Sequence, residues 1–170
     1  METVIRMMDA LLAAMEQERR LVDDLIGLAE EKASLLPRAD AESLNGVLQR
    51  EEETLIALHE TEEERKAYAG RLGDKLCLAG EEPTLKKLAR GFDHPEYSLR
   101  LICAGNEMTK AMRRLSRCNS KVKELLKHQI GYTAFLLNVL NGPQSKADFY
   151  NMQGSREEKT THKSRLDYHA

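Results

Sequence analysis

The chain has 170 residues, 41% hydrophobic and 32% charged, with a formal net charge of −2, which suits one domain with a modest core and a heavily solvated surface. Four Pro, ten Gly, three Phe and no Trp leave few helix breakers and few of the large rings that favour sheets, so the composition is that of a helical bundle. The charge balance excludes a strongly basic protein, and no stretch approaches the roughly eighteen consecutive apolar residues of a membrane span.

The first residues lack the basic start, apolar run and small-residue cleavage site of a secretory signal. From Val4 the apolar residues Met8, Leu11, Met15, Val22, Leu25 and Ala29 follow alternating spacings of three and four, interrupted by Glu18, and predict a helix to about Lys32. Pro37 blocks its continuation. Asp40 is the expected N-cap of a second helix, with Leu44, Val47, Leu48, Leu55, Leu58, Ala69, Leu72 and Leu76 on its seam and its end near Cys77.

Gly80, Pro83, Gly91 and Pro95 then punctuate a connector that holds one short helical pattern, Thr84 to Arg90. After Pro95 comes the most regular stretch. Leu101, Gly105, Met108, Met112, Leu115, Asn119, Val122, Leu126, Gln129, Thr133, Leu136 and Leu140 form a heptad seam, predicting a third long helix that ends at Asn141-Gly142-Pro143. At 1.5 Å per residue it reaches about 65 to 70 Å, so it must lie along partners. The segment after it is rich in Ser, Thr, Lys, Glu and Arg without a periodic apolar face, and is expected to be disordered in isolation.

The predicted fold is therefore all-α. It is an elongated antiparallel bundle of three long helices with coiled-coil-like packing, plus a short connector helix and a flexible C-terminal tail. The bundle domain is placed at residues 1–142 and the tail at 143–170.

Chemistry-bearing constellations are scarce. The residues three before each His are Ile56, Gly91, Leu125, Lys159 and Leu166, none acidic, so the Glu-x-x-His signature of di-metal bundles is missing; His59 with Glu62 or Glu63 reads as a solvated helix face. Cys77, Cys103 and Cys118 are odd in number, lack C-x-x-C spacing and have no His one turn away, so a reducing cytosol fits and neither zinc, disulfide nor thiol catalysis is indicated. With no phosphate loop, nucleophile elbow or dinucleotide fingerprint, neither an enzyme nor a cofactor is expected.

Charge is unevenly spread. Glu51 to Glu64 carries seven acids and no Lys or Arg, while Lys110 to Lys127 carries seven bases against Glu124 alone. The two runs are expected to face each other within the bundle. Asn119 and Gln129, polar on an apolar seam, either fix register or leave polar groups for a partner. Met108 and Met112 suit adaptable packing.

The stretch LSRCNSKVKELLKHQIGYTAFLLNVL, followed by a short linker and FYNMQG, resembles the FlgN family of flagellar export chaperones. Asn119 and the pair Leu125-Leu126 match a conserved Asn followed by Leu-Leu in the last helix of that family, and Tyr150 and Gly154 match its closing Tyr and Gly. The chain carries one Asn where members often have two, and places Gly131 within the helix. The resemblance implies a cytoplasmic chaperone that holds the C-terminal amphipathic helices of hook-filament junction proteins until export, and that also meets the export apparatus. It further implies a groove lined or bordered by Asn119, Val122, Leu126, Ile130, Tyr132 and Phe135, with Phe149 and Tyr150 closing over the client.

Two readings of other classes stand beside it. A self-associating coiled-coil adaptor predicts a concentration-dependent homodimer without a dedicated client. A helical nucleic-acid-binding protein using the basic run predicts binding that weakens steeply with salt.

Overall fold

The computed structural model describes residues 2–76 and 84–141. All regular structure among them is helical: α1 (Glu2–Leu35), α2 (Ala41–Lys75), α3 (Leu85–Gly91) and α4 (Pro95–Asn141). The expected tail lies outside the described residues. By its contacts the chain divides into two units, Met1–Ile130 and Gly131–Ala170.

The helix ends follow from local chemistry. Pro37 sits in a single 3₁₀ turn, Leu36–Arg38, after which Ala39 takes a left-handed conformation (φ 54°) and turns the chain. Asp40 caps α2, its Oδ1 accepting from the Ser43 backbone N–H at 3.0 Å, and the Ser43 hydroxyl, together with this backbone bond, holds the Asp40 carboxyl below the usual carboxylate range. Thr84 caps α3 in the same way, accepting from the Lys87 N–H at 3.3 Å. Pro95 occupies the first position of α4, where a missing N–H leaves no bond unmade.

Ion pairs set the direction of the long helices in the first unit. Arg65 Nε donates to Glu18 Oε1 at 2.7 Å and Lys32 Nζ donates to Glu51 Oε1, two heptads on along α1 and two heptads back along α2, so α2 runs back along α1. Asp9 accepts from the Tyr97 hydroxyl at 3.3 Å and pairs with Arg100 at 3.6 Å, while Glu30 pairs with Arg114 at 2.9 Å, so α4 runs along α1 in the same direction. The start of α4 is further fixed by the rings of Phe92, His94 and Tyr97 and by the Ser98 hydroxyl, which donates to the Ala89 carbonyl at 2.6 Å.

Three apolar clusters lie between these helices. The largest joins Met8, Leu11, Leu12 and Met15 of α1 to Ala69 and Leu72 of α2, Leu88 and Ala89 of α3, then Phe92 and Leu101. Gly105 permits the approach of α3, because an added Cβ would stand 3.1 Å from Leu85 Cδ1. A second cluster holds Leu25, Leu28 and Val47 with Leu58 and Leu115, and a third holds Ala29, Leu36 and Val122 with Leu44, Cys118 and Leu125.

The interruption of the α1 stripe now has a cause. Glu18 is buried because Arg65 meets it from α2, and Lys32 is buried against Glu51. Burial pushes the Glu18 carboxyl above the usual carboxylate range, opposed by the bond and charge of Arg65.

Two seam expectations are corrected. On α2 the inward positions in mid-helix are Val47, Glu51, Thr54, Leu58, Thr61 and Arg65, so Leu48 and Leu55 are turned outward, 47% and 50% exposed. The polar members of that face are paired with α1 or bonded to their own helix, which is why an apolar count alone misplaces it. On α4 the docked stripe is Ala104, Met108, Ala111, Leu115, Cys118, Val122 and Leu125. It keeps Met108, Leu115 and Val122 of the expected seam but takes Ala111, Cys118 and Leu125 beside them, leaving the expected Met112, Asn119 and Leu126 exposed.

Candidate partner-binding surface

Within the first unit α4 carries two adjacent stripes of heptad spacing, and the chain uses one. The docked stripe combines small Ala and Cys with Leu and Val, so the helix can approach α1 and α2 closely. The other stripe, Met112, Ser116, Asn119, Lys123 and Leu126, keeps the i, i+4, i+7 recurrence of one helix face. It borders a shallow depression of about 410 Å³ lined by Met112, Leu115, Ser116, Asn119, Ser120 and Lys123.

The expected groove residues fall into four groups. Asn119, Leu126 and Ile130 are exposed on α4, and the Asn119 side chain makes no hydrogen bond among the described residues, so it does not fix register within the chain. Val122 differs: at 7% exposure it packs with Ala29 and Leu36, because it falls on the docked stripe. In the second unit Tyr132 and Phe135 are each 60% exposed, in a segment that also exposes Leu136, Leu137, Val139 and Leu140. Phe149 and Tyr150 lie outside the described residues.

A contiguous run of exposed large apolar side chains on a helix marks an interaction surface, whereas single exposed ones do not. The second unit carries such a run on α4, while in the first unit the exposed Met112 and Leu126 share their stripe with Ser116, Asn119 and Lys123, and Ile130 follows one turn after Leu126. Their chemistry is that of contact: aliphatic, thioether and ring surface, a free amide able to donate and accept, the hydroxyls of Ser116, Ser120 and Tyr132, and the Lys123 ammonium.

The charge pattern departs from expectation. The basic run does not meet Glu51 to Glu64 in any ion pair among the described residues. Arg114 pairs with Glu30 of α1, Lys110 pairs with Glu107 one turn back, and Glu51 pairs with Lys32. The rotation of α4 places the remaining bases outward: Arg113, Arg117, Lys121, Lys123 and Lys127 are exposed and form no ion pair among the described residues. The bonds to Glu107 and Glu30 raise the pKa of Lys110 and of Arg114 respectively, so both stay cationic.

Among the described residues no group of three His, Cys, Asp or Glu could hold a metal ion, and no helix is long and apolar enough to cross a membrane. Of the cysteines, Cys103 is exposed and Cys118 is partly buried in the third cluster. The second free stripe, Leu48 and Leu55 on α2, escaped the sequence reading. Its signal was the polar recurrence Glu51, Thr54, Thr61 and Arg65, which marks a paired inward face.

Comparison with known proteins gives one match. A family model described as FlgN protein matches residues 7–158. No curated protein and no solved structure matches the chain.

Proposed function

The chain belongs to the FlgN family, which implies a flagellar chaperone, and on that premise we propose that it holds the C-terminal amphipathic helices of hook-filament junction proteins in the cytoplasm and delivers them to the export apparatus. The observation that carries this reading is the unused heptad stripe of α4. A helix that docks by Ala111, Cys118 and Leu125 while displaying Met112, Asn119 and Leu126 one residue further round has an apolar face to offer another helix. Covering the client's own apolar face prevents its early assembly.

On this reading Asn119, Leu126 and Ile130 of the first unit contact the client, and the exposed rings Tyr132 and Phe135 of the second contribute their own surface, with Phe149 and Tyr150 closing over it. Val122 supports the contact from behind. The three long helices are read as an elongated antiparallel bundle with coiled-coil-like packing, which makes the stripe rigid before the client arrives and lowers the cost of binding. No chemical step is part of this function.

The test is pairwise binding. Purified chain is titrated with a junction protein and with the same protein lacking its terminal amphipathic helix. The expected result is a one-to-one complex with the intact protein and at least about a hundredfold loss with the truncated one. Equal affinity for both would overturn the reading.

A further inference from the structure

The unused stripe of α4 has a counterpart on α2. At one edge of the docked face of α4, Arg114 pairs with Glu30 of α1; Met112, Asn119 and Leu126 lie at the other edge. At one edge of the inward face of α2, Arg50 pairs with Glu31 of α1 at 2.7 Å; Leu48 and Leu55 lie at the other edge. Both free stripes thus turn away from α1. Beneath them, Leu115 of α4 and Leu58 of α2 both pack against the cluster of Leu25, Leu28 and Val47, in which Val47 adjoins Leu48 and Leu58 lies one turn from Leu55.

Each stripe has a charged rim. Glu52 stands between Leu48 and Leu55 at the i, i+4, i+7 recurrence and forms no ion pair among the described residues. Lys123 stands between Asn119 and Leu126, with Lys127 one turn on, and neither is paired among the described residues. An apolar floor bounded by an acidic rim on one side and a basic rim on the other is complementary to a ligand of the reverse polarity.

We propose that Leu48, Glu52 and Leu55 of α2 form the second wall of the groove whose first wall is Met112, Asn119 and Leu126. The occupant is an amphipathic helix with acidic residues along one edge of its apolar face and basic residues along the other. This rests on the function proposed above and adds the α2 wall and the charge pattern of the client. Reversing a helix end for end exchanges its two edges, so the rims also select the direction in which the client lies. A purely acidic or purely basic helix satisfies one rim and is repelled by the other.

Three synthetic amphipathic peptides with the same Leu stripe test this on the full chain: one with an acidic and a basic edge, one acidic on both, one basic on both. The mixed peptide is expected to bind about tenfold more tightly than either other. Glu52→Lys makes both rims basic and is expected to move the preference to the doubly acidic peptide, while Leu55→Ser weakens all three. Both positions are exposed, and circular dichroism checks that the variants keep their helicity.

If Leu126→Glu abolishes peptide binding but Glu52→Lys and Leu55→Ser change nothing, the α2 wall is wrong and the α4 surface stands. If no peptide binds and Leu126→Glu leaves junction-protein binding intact as well, the underlying function fails with it. If sedimentation shows a dimer that each peptide must first dissociate, a second copy of this chain covers the groove, and the proposal is overturned.

Discussion

Leu126→Glu is expected to weaken junction-protein binding at least about thirtyfold while leaving the fold intact, whereas Val122→Glu is expected to unfold the first unit. The two residues are one turn apart on α4 and differ in which stripe they occupy. Leu126 is 40% exposed, so a carboxylate there stays hydrated in the free chain. It is desolvated only when an apolar helix covers it, and burying an unpaired charge costs on the order of 2 kcal/mol or more, which is at least thirtyfold in affinity. Val122 is packed against Ala29 and Leu36, and a charge there has no water and no partner. Binding by titration calorimetry and melting by circular dichroism separate the two effects. Unchanged affinity for Leu126→Glu at full helicity would place the client elsewhere.

Arg65→Met should destabilise the chain by about 3 kcal/mol near neutral pH, and Glu18→Gln by less than about 1 kcal/mol. The asymmetry follows from burial. Removing Arg65 leaves a buried carboxylate with no partner, while Gln at position 18 still offers Arg65 an oxygen. The Glu18 carboxyl is already pushed above its usual range by burial, with Arg65 opposing that rise, so loss of Arg65 raises it further.

A carboxyl whose folded pKa exceeds its unfolded one stabilises the fold fully below the unfolded value and loses that contribution as pH rises through the folded one. The Arg65→Met deficit should therefore shrink as pH falls from about 7 toward 5, and adding Glu18→Gln should recover most of it at pH 7. Denaturant unfolding at both pH values reads the difference. A deficit independent of pH would mean that Arg65 acts through packing of its aliphatic stem.

Glu16 behaves oppositely. The bond from Arg19 holds it down at about 2, so its contribution is present above the ordinary carboxylate value and fades on acidification toward that figure. The pair is about half exposed on the Glu16 side, and salt screens it.

The α1 seam could be read directly from the sequence, since every residue that the three-four spacing selects from Met8 to Ala29 is buried. Spacing works there because α1 is covered on two sides. The Pro37 stop, the Asp40 cap and the short helix after Thr84 were equally legible, each being set by neighbours in sequence. The reason for Glu18 was not, because its partner lies on α2 and is found only once the register is known.

α4 shows the limit most clearly. Ala111-Met112, Cys118-Asn119 and Leu125-Leu126 are adjacent pairs, so two heptad frames fit one helix. The spacing of three and four fits both frames equally, while packing against α1 and α2 takes the frame that places the small Ala111 and Cys118 inward and leaves the longer Met112 and the polar Asn119 outside. The residues proposed to meet the client are those the fold passed over. The charge runs were misplaced for the same reason, since a small rotation of α4 decides whether its bases face α2 or solvent.

The most direct test uses the methionine methyl groups. Met112 is half exposed on the free stripe, while Met8 and Met15 are sealed in the core. With methyl-labelled methionine, adding the isolated terminal helix of a junction protein in stoichiometric amount is expected to shift and broaden the Met112 resonance and to leave Met8 and Met15 in place. Binding that leaves Met112 unmoved would contradict the claim that the unused stripe of α4 receives the client.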